Sequence, residues 1–153
     1  MKGESQDQKH ADWIEVDSFD LGVSRPGASG GEKTGAALAD FRSVQVTKKV
    51  DKSTPGLFLS VATGKVYPSA TLDVCASGTS GASCFFQIGL KNVSVGSAET
   101  SASVSDDRPH ESVSLNFEKI TCTYTPMSKD GKSGSDISTG WSVLENTVDK
   151  TTK

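Results

Sequence analysis

The sequence predicts a mainly β protein, either a β-barrel or a tight two-sheet sandwich, with one short flanking α-helix. Apolar and polar residues alternate with a period of two over most of the chain, which is typical of strands with one buried face. Two predicted strands change the phase of this alternation, near Asp17-Ser18 and near Glu118-Lys119, and each change predicts a β-bulge. Two long, bent strands allow a sheet to curl, so a barrel or tight sandwich is expected.

The strands follow from the alternation, in chain order. The first is predicted over residues 13–23, where Ile14 and Val16 precede Phe19, Leu21 and Val23 in the opposite phase. Residues 24–39 are rich in Gly and Ser and predict a long projecting loop. The other strands are predicted over residues 41–50, 70–76, 84–95, 113–124 and 137–145.

One segment has the pattern of a helix. Thr54 is a suitable N-cap, the helix begins at Pro55 and ends at Thr63, and Gly64 suits the left-handed position that follows a helix. Its apolar stripe consists of Leu57, Phe58 and Val61. A helix this short is not stable alone, so the stripe is expected to pack on the sheet.

Length and charge limit the possible classes of protein. The 153 residues fit one domain, predicted over residues 1–146, followed by a disordered tail over residues 147–153. The net charge of -3 and the lack of a basic run longer than Lys48-Lys49 argue against nucleic-acid binding. No apolar segment suits a Sec signal peptide or a membrane span, so we expect neither Sec export nor membrane insertion.

The sequence offers little for catalysis or metal binding. The two histidines, His10 and His110, lie among charged or polar residues without a nucleophile pattern. Asp106, Asp107, His110 and Glu111 are close in sequence, but Pro109 and the following strand are expected to splay them. We therefore predict that the protein is not an enzyme and has no cofactor and no metal site.

The three cysteines cannot all pair within one chain. Cys75 and Cys84 suit a cross-strand disulfide over a hairpin. The alternation instead places Cys75 on the outer face and Cys84 on the inner face, which disfavours a bond between them. Free thiols at all three cysteines, Cys122 included, would suit a protein that folds in a reducing cytosol. A bulge would reconcile the two faces, so both alternatives stay open.

Five blocks of sequence resemble one bacterial family. Their order and spacing are similar to those of the Hcp family, the haemolysin-coregulated proteins that form the inner tube of type VI secretion systems. The blocks are Gly3-Glu4-Ser5 with residues 13–19, the helix start over residues 50–57, residues 108–120, Tyr124, and Gly140-Trp141.

The resemblance implies a structural and exported protein. It implies a homohexamer whose rings stack into a tube, with a spike protein at the tip, a contractile sheath outside and small effectors in the lumen. It also implies residence in the bacterial cytoplasm before firing and release to the extracellular space afterwards by the type VI route. The main alternative is an independently secreted β-sandwich module that binds a carbohydrate or a host surface as a monomer.

Two sets of residues are candidates for contacts between subunits. By position rather than by motif, the resemblance suggests that the loop after the first strand reaches a neighbouring ring or protomer. Glu111 is expected to make either a structural hydrogen bond or an ion pair between subunits. The loop residues in this hypothesis are Ser24, Arg25, Pro26, Gly27, Glu32 and Lys33.

The start of the chain departs from the family pattern. In the family an apolar strand precedes the Gly-Glu-Ser turn, and here only Met1 and Lys2 stand before Gly3. A sheet neighbour would then lack its partner. Either the barrel is open at this position, or the C-terminal tail or a neighbouring chain fills it, or the natural start of the protein lies upstream of Met1. We favour the last.

Overall fold

The computed structural model describes residues 1–26, 38–76, 83–127 and 134–149, in which ten strands and one helix occur. The mainly β fold with a single helix is confirmed. The elements are β1 Ser18–Asp20, β2 Val23–Ser24, β3 Asp40–Phe41, β4 Val44–Lys49, α1 Thr54–Thr63, β5 Val66–Ala76, β6 Ser83–Ser101, β7 His110–Asn116, β8 Lys119–Tyr124, β9 Ile137–Ser142 and β10 Thr147–Val148.

The chain forms two compact units, and the prediction of one domain over residues 1–146 stays a prediction. Unit 1 comprises Met1–Val66 and Ser94–Asn116, and unit 2 comprises Tyr67–Val93 and Phe117–Lys153. The long strand β6 passes from unit 2 into unit 1 at Val93-Ser94.

The main sheet of unit 1 is antiparallel, with β1 beside β4, β4 beside β7, and β7 beside the second half of β6. Strands β2 and β3 form a separate ribbon. Every second residue of β4 is buried, as the period of two predicts. The buried apolar residues of the main sheet are Val44, Val46, Val95 and Val113.

The helix α1 follows β4 and begins one residue earlier than predicted. Gly64 adopts the predicted left-handed conformation, with φ 63°, and its N–H and that of Lys65 satisfy carbonyl groups of the last turn. Leu57 is buried, but Phe58 is 70% exposed, so the prediction of Phe58 as a packing residue is wrong.

Unit 2 is also a set of antiparallel strands. The first half of β6 pairs with β5 and with β8, then β8 pairs with β9 and β9 with β10. Ile88, Leu90, Val93 and Ile120 are its buried apolar residues. The tail was predicted too early in the chain, because β10 lies within residues 147–153 and Asp149 is buried; residues 150–153 lie outside the described residues.

The first predicted strand is shorter in the structure. Residues 13–17 are not assigned as strand, β1 begins at Ser18, and the chain breaks again at Leu21-Gly22 before β2. The alternation was misleading at the start of residues 13–17, where the Trp13 carbonyl accepts a hydrogen bond from the Ser5 N–H instead of pairing with β4. At the end of the segment the Asp17 N–H already donates to the Thr47 carbonyl of β4 at 2.8 Å.

The bulge predicted near Glu118-Lys119 is wrong, although the strand is interrupted there between β7 and β8. Ser94 lies three positions after Lys91 on β6, and their partners Asn116 and Lys119 are also three positions apart, so no residue is inserted. The side of the strand that is buried changes at Asn92 of β6 and, opposite it, between β7 and β8. Asn92 has φ 51°, and its side chain donates a hydrogen bond to Glu118 Oε2 at 2.6 Å. The register shift that does occur lies between Val95 and Ser97.

Cys75 and Cys84 form a disulfide, and Cys122 is a free thiol. The preference for two free thiols at Cys75 and Cys84 was therefore wrong. It relied on strict alternation, which fails at the end of β5, where the four consecutive residues from Leu72 to Cys75 are all half-buried. Over the described ranges, no helix has the length and apolar character needed to cross a bilayer.

Candidate functional site

Three of the sequence blocks meet in unit 1, at the start of α1. The Glu4 carboxylate accepts a hydrogen bond from the Lys52 backbone N–H at 3.1 Å and a longer one from Arg108 Nη1 at 3.4 Å. Glu4, Lys52 and Arg108 come from three segments that are far apart in sequence. A single carboxylate thus joins the N-terminal turn, the helix start and the segment before β7.

The N-terminal turn depends on Gly3. Its N–H donates to the Asp12 carbonyl at 2.7 Å, and the Ser5 N–H donates to the Trp13 carbonyl at 3.0 Å. A Cβ at residue 3 would overlap the Trp13 carbonyl oxygen and the backbone of Ile14. Only glycine therefore allows this close approach of two backbone segments, and the approach places Glu4 next to Lys52.

A buried ion cluster lies behind Glu4; we define it as Lys48, Asp51, Ser53, Thr54 and Glu111. Lys48 is 1% exposed and donates all three of its ammonium hydrogen bonds. They go to Glu111 Oε2 at 2.7 Å, to Asp51 Oδ1 at 2.9 Å and to the Lys49 carbonyl at 2.7 Å. Such partners are needed at this depth, because burying an unpaired charge costs much free energy.

Glu111 is the second buried charge of the ion cluster. It is 2% exposed, and its Oε2 also accepts from Thr54 Oγ1 at 2.7 Å, while Oε1 accepts a weaker bond from Thr100 Oγ1 at 3.4 Å. Lys48 and Glu111 are direct partners in the ladder of β4 and β7. Glu111 therefore makes structural hydrogen bonds within the subunit, and its expected ion pair between subunits stays a prediction.

Asp51 completes the ion cluster and shapes the turn into α1. It accepts hydrogen bonds from the Ser53 N–H at 2.8 Å and the Ser53 hydroxyl. Burial by itself raises the pKa of the Asp51 carboxyl, but the Ser53 hydroxyl, Lys48 and the Ser53 N–H together outweigh it and hold that pKa below its ordinary value of 3.8.

The predicted N-cap is wrong in a way that the ion cluster explains. Ser53 is the N-cap residue and makes no side-chain capping bond. The Thr54 hydroxyl does not cap the helix because it donates to Glu111 and accepts from the Asp51 N–H at 3.1 Å. The first turn of α1 is thus attached to the sheet through the ion cluster rather than closed by its own cap.

The surface above the ion cluster is a small polar cleft. Its volume is about 70 Å³, well below the several hundred Å³ typical of small-molecule sites. The nearby Asp12 carboxylate forms salt bridges with the Lys2 ammonium at 2.8 Å and the Lys52 ammonium at 3.1 Å. These two cations hold the pKa of Asp12 below its ordinary value. The cleft is lined by Glu4, Glu15, Asp17, Lys49, Asp51 and Arg108.

The structure does not bring the acidic and histidine residues 106–111 together. Asp106 accepts from the Ser103 N–H, Glu111 belongs to the buried ion cluster, and His110 lies on the exposed face beside Asp17 at 3.8 Å. His10 pairs with Asp7 at 2.8 Å and packs edge-on against Trp13.

The predicted intersubunit loop begins in exposed structure. Ser24 ends β2 and pairs with Asp40 of β3, and Arg25 and Pro26 follow at the surface. Gly27, Glu32 and Lys33 lie outside the described residues. The contacts expected of this loop stay a prediction.

Sequence reasoning missed Lys48 and Asp51. The signal was present, since Lys48 continues the parity of Val44 and Val46 on a strand whose alternate positions are buried. A charged residue on the buried face requires a partner of opposite charge. Glu111 was singled out, but nothing local in the sequence shows that β4 and β7 are neighbours.

Comparison with known proteins gives a consistent result. A family model described as "Type VI secretion system effector, Hcp" matches residues 1–124. Protein hcp1 of Pseudomonas aeruginosa is 36% identical over 148 residues, which cover 95% of this chain and 91% of that protein.

Solved structures agree with the sequence comparisons. The structure of a type six secretion system protein aligns with a TM-score of 0.87 at 31% identity, over 97% of this chain and 93% of that one. Hcp1 from Salmonella typhimurium aligns with a TM-score of 0.78 at 21% identity, over 97% and 92% of the two chains, and shows a shared fold.

Proposed function

The chain belongs to the Hcp family of type VI secretion proteins, and from that premise we propose that it forms hexameric rings that stack into a tube. In this proposal the tube carries small effectors in its lumen, bears a spike protein at its tip and is driven outward by a contractile sheath. The protein is made in the bacterial cytoplasm and reaches the extracellular space by the type VI route. Its function lies in its surfaces, and no catalytic step is assigned to it.

Two exposed strands of unit 1 support this proposal: β1 at the edge of the main sheet and β2 in the separate ribbon. Strand β1 is the terminal strand of the main sheet, and terminal strands offer backbone groups to another chain. Phe19 of β1 is 38% exposed and Val23 of β2 is 61% exposed. Ring closure by a head-to-tail contact would cover such an edge and its apolar side chains in every subunit.

The buried ion cluster has a supporting role in the proposal. It attaches the start of α1 to β4 and β7 and carries a net charge of about minus one from one lysine and two carboxylates. Contacts of this kind orient elements rather than bind a ligand, because every ammonium hydrogen of Lys48 already has an acceptor. The ion cluster therefore serves the shape of the subunit.

The proposed contact through β1 and β2 is tested at β2 by Val23→Glu. We expect negative-stain images of the unchanged protein to show rings, and images of Val23→Glu to show few or none, because a charge would have to be buried at the contact. The matched control is Val104→Glu, which places the same side chain at a fully exposed turn. Equal numbers of rings in both variants would contradict this placement of the contact; the absence of rings from the unchanged protein would favour the monomeric binding module.

The loop hypothesis has its own test. We propose that the loop containing Arg25, Pro26 and Lys33 contacts a neighbouring ring or protomer. Replacing residues 25–33 with a short Gly-Ser linker is expected to leave single rings but to reduce stacked tubes. Unchanged tube formation would show that the loop has no such role.

A further inference from the structure

The disulfide of unit 2 lies where two antiparallel strands end and begin. Cys75 is the second-last residue of β5 and Cys84 is the second residue of β6, and both side chains are half-buried. Nine positions separate them in sequence. The bond therefore closes the end of the β5–β6 pair and is within reach of small reagents in solution.

The third cysteine is separate from this bond. Cys122 on β8 pairs with Ile88 of β6, four residues along β6 from Cys84, which corresponds to roughly 14 Å. Burial also raises the pKa of the Cys122 thiol, so that it stays protonated and a poor nucleophile. Thiol–disulfide exchange between Cys122 and the disulfide is therefore disfavoured. The Cys75 and Cys84 pair is left with two covalent states, the two free thiols and the disulfide.

The redox conditions differ along the route of the protein. A bacterial cytoplasm keeps thiols reduced, whereas disulfides form and persist outside it. A chain exported by the type VI route is made in the first environment and delivered to the second. This part of the argument rests on the proposed function.

We propose that the Cys75 and Cys84 pair is a redox latch, open as two thiols in the cytoplasm and closed as a disulfide after export. The oxidant is a small-molecule disulfide. One cysteine thiolate attacks it, forms a mixed disulfide and releases one thiol; the second cysteine thiolate then displaces the other half of the oxidant. Two electrons pass from the cysteine sulfurs to the oxidant, and the two protons of the cysteine thiols end on its two released thiols.

Closing the latch stabilises the exported form. The disulfide restricts the unfolded chain between Cys75 and Cys84, and a loop of this size contributes stability that corresponds to a Tm increase of roughly 5 to 10 °C. The cytoplasmic form keeps the same strands without the covalent link. The exported protein thus resists unfolding better than the form that is assembled.

The latch is tested first in cells. Bacteria that express the chain are treated with acid to trap thiols, and the cytoplasmic and secreted protein are each alkylated with a maleimide polymer and separated by mass. We expect three modified cysteines in the cytoplasmic protein and one, Cys122, in the secreted protein. One modified cysteine in the cytoplasm, or three in the secreted protein, would overturn the latch.

The purified protein gives an independent test. With oxidised glutathione it is expected to lose two thiols and gain about 5 to 10 °C in Tm, and excess reduced glutathione should reverse both changes. The Cys122→Ser control should respond like the unchanged protein, and the Cys75→Ser/Cys84→Ser variant should not respond. No change in Tm or thiol number would refute the latch. If the chain is absent from the medium, the export proposal fails while this measurement still decides the latch.

Discussion

Replacing Glu111 with alanine is the most informative perturbation of the buried ion cluster. The change removes the acceptor of the Lys48 ammonium at 2.7 Å and of the Thr54 hydroxyl at 2.7 Å, and it leaves Lys48 buried with Asp51 as its only carboxylate. Breaking a buried ion pair typically costs about 3 to 5 kcal/mol. Because Asp51 and the Lys49 carbonyl stay in place, we expect the lower end, about 3 kcal/mol, or a roughly 150-fold larger unfolding constant.

The assay is urea unfolding followed by tryptophan fluorescence and circular dichroism, at one protein concentration because assembly contributes to apparent stability. Glu99→Ala on the exposed face of β6 is the matched control and should change the free energy of unfolding by less than about 0.5 kcal/mol. The double variant Lys48→Met/Glu111→Leu removes both charges and should recover much of the loss. A loss below about 1 kcal/mol in Glu111→Ala, or an equal loss in Glu99→Ala, would refute this account of the ion cluster.

Three further predictions concern the surroundings of α1. Gly3→Ala should lower the melting temperature, because the added methyl group would overlap the Trp13 carbonyl. The Ser5 and Lys52 amides should then exchange their hydrogens faster with solvent, and unchanged protection of these amides would contradict the turn geometry. Gly64→Ala should cost about 1 kcal/mol in urea unfolding, from its positive φ alone, since nothing lies within 4 Å of the added Cβ. The pKa of Asp51 is lower in the folded state, so its contribution to stability is complete above the ordinary value of 3.8 and is lost as the pH falls through the folded value. Asp51→Asn should therefore show a shallower loss of stability than the unchanged protein below about pH 4, and equal slopes would show that Asp51 is not responsible.

The sequence was sufficient for the class of fold and for the position of the helix. Alternation located β4, β6, β8 and β9 because each buries one face, and Gly64 correctly marked the end of α1. These features are local, and local patterns report them directly.

The features that the sequence could not show depend on contacts between distant segments. Lys48 and Glu111 are 63 residues apart, and only the pairing of β4 with β7 places them together. The disulfide was disfavoured for a similar reason, because the end of β5 is half-buried on both faces and strict alternation does not hold there. The exposed position of Phe58 likewise reflects which side of α1 the sheet covers.

The mass of the purified particle tests the central claim most directly. Light scattering across micromolar protein concentrations should give about six times the chain mass of 16.0 kDa, because a closed ring holds six subunits. A single species of 16.0 kDa at every concentration would contradict the assignment of this chain as a ring-forming tube subunit.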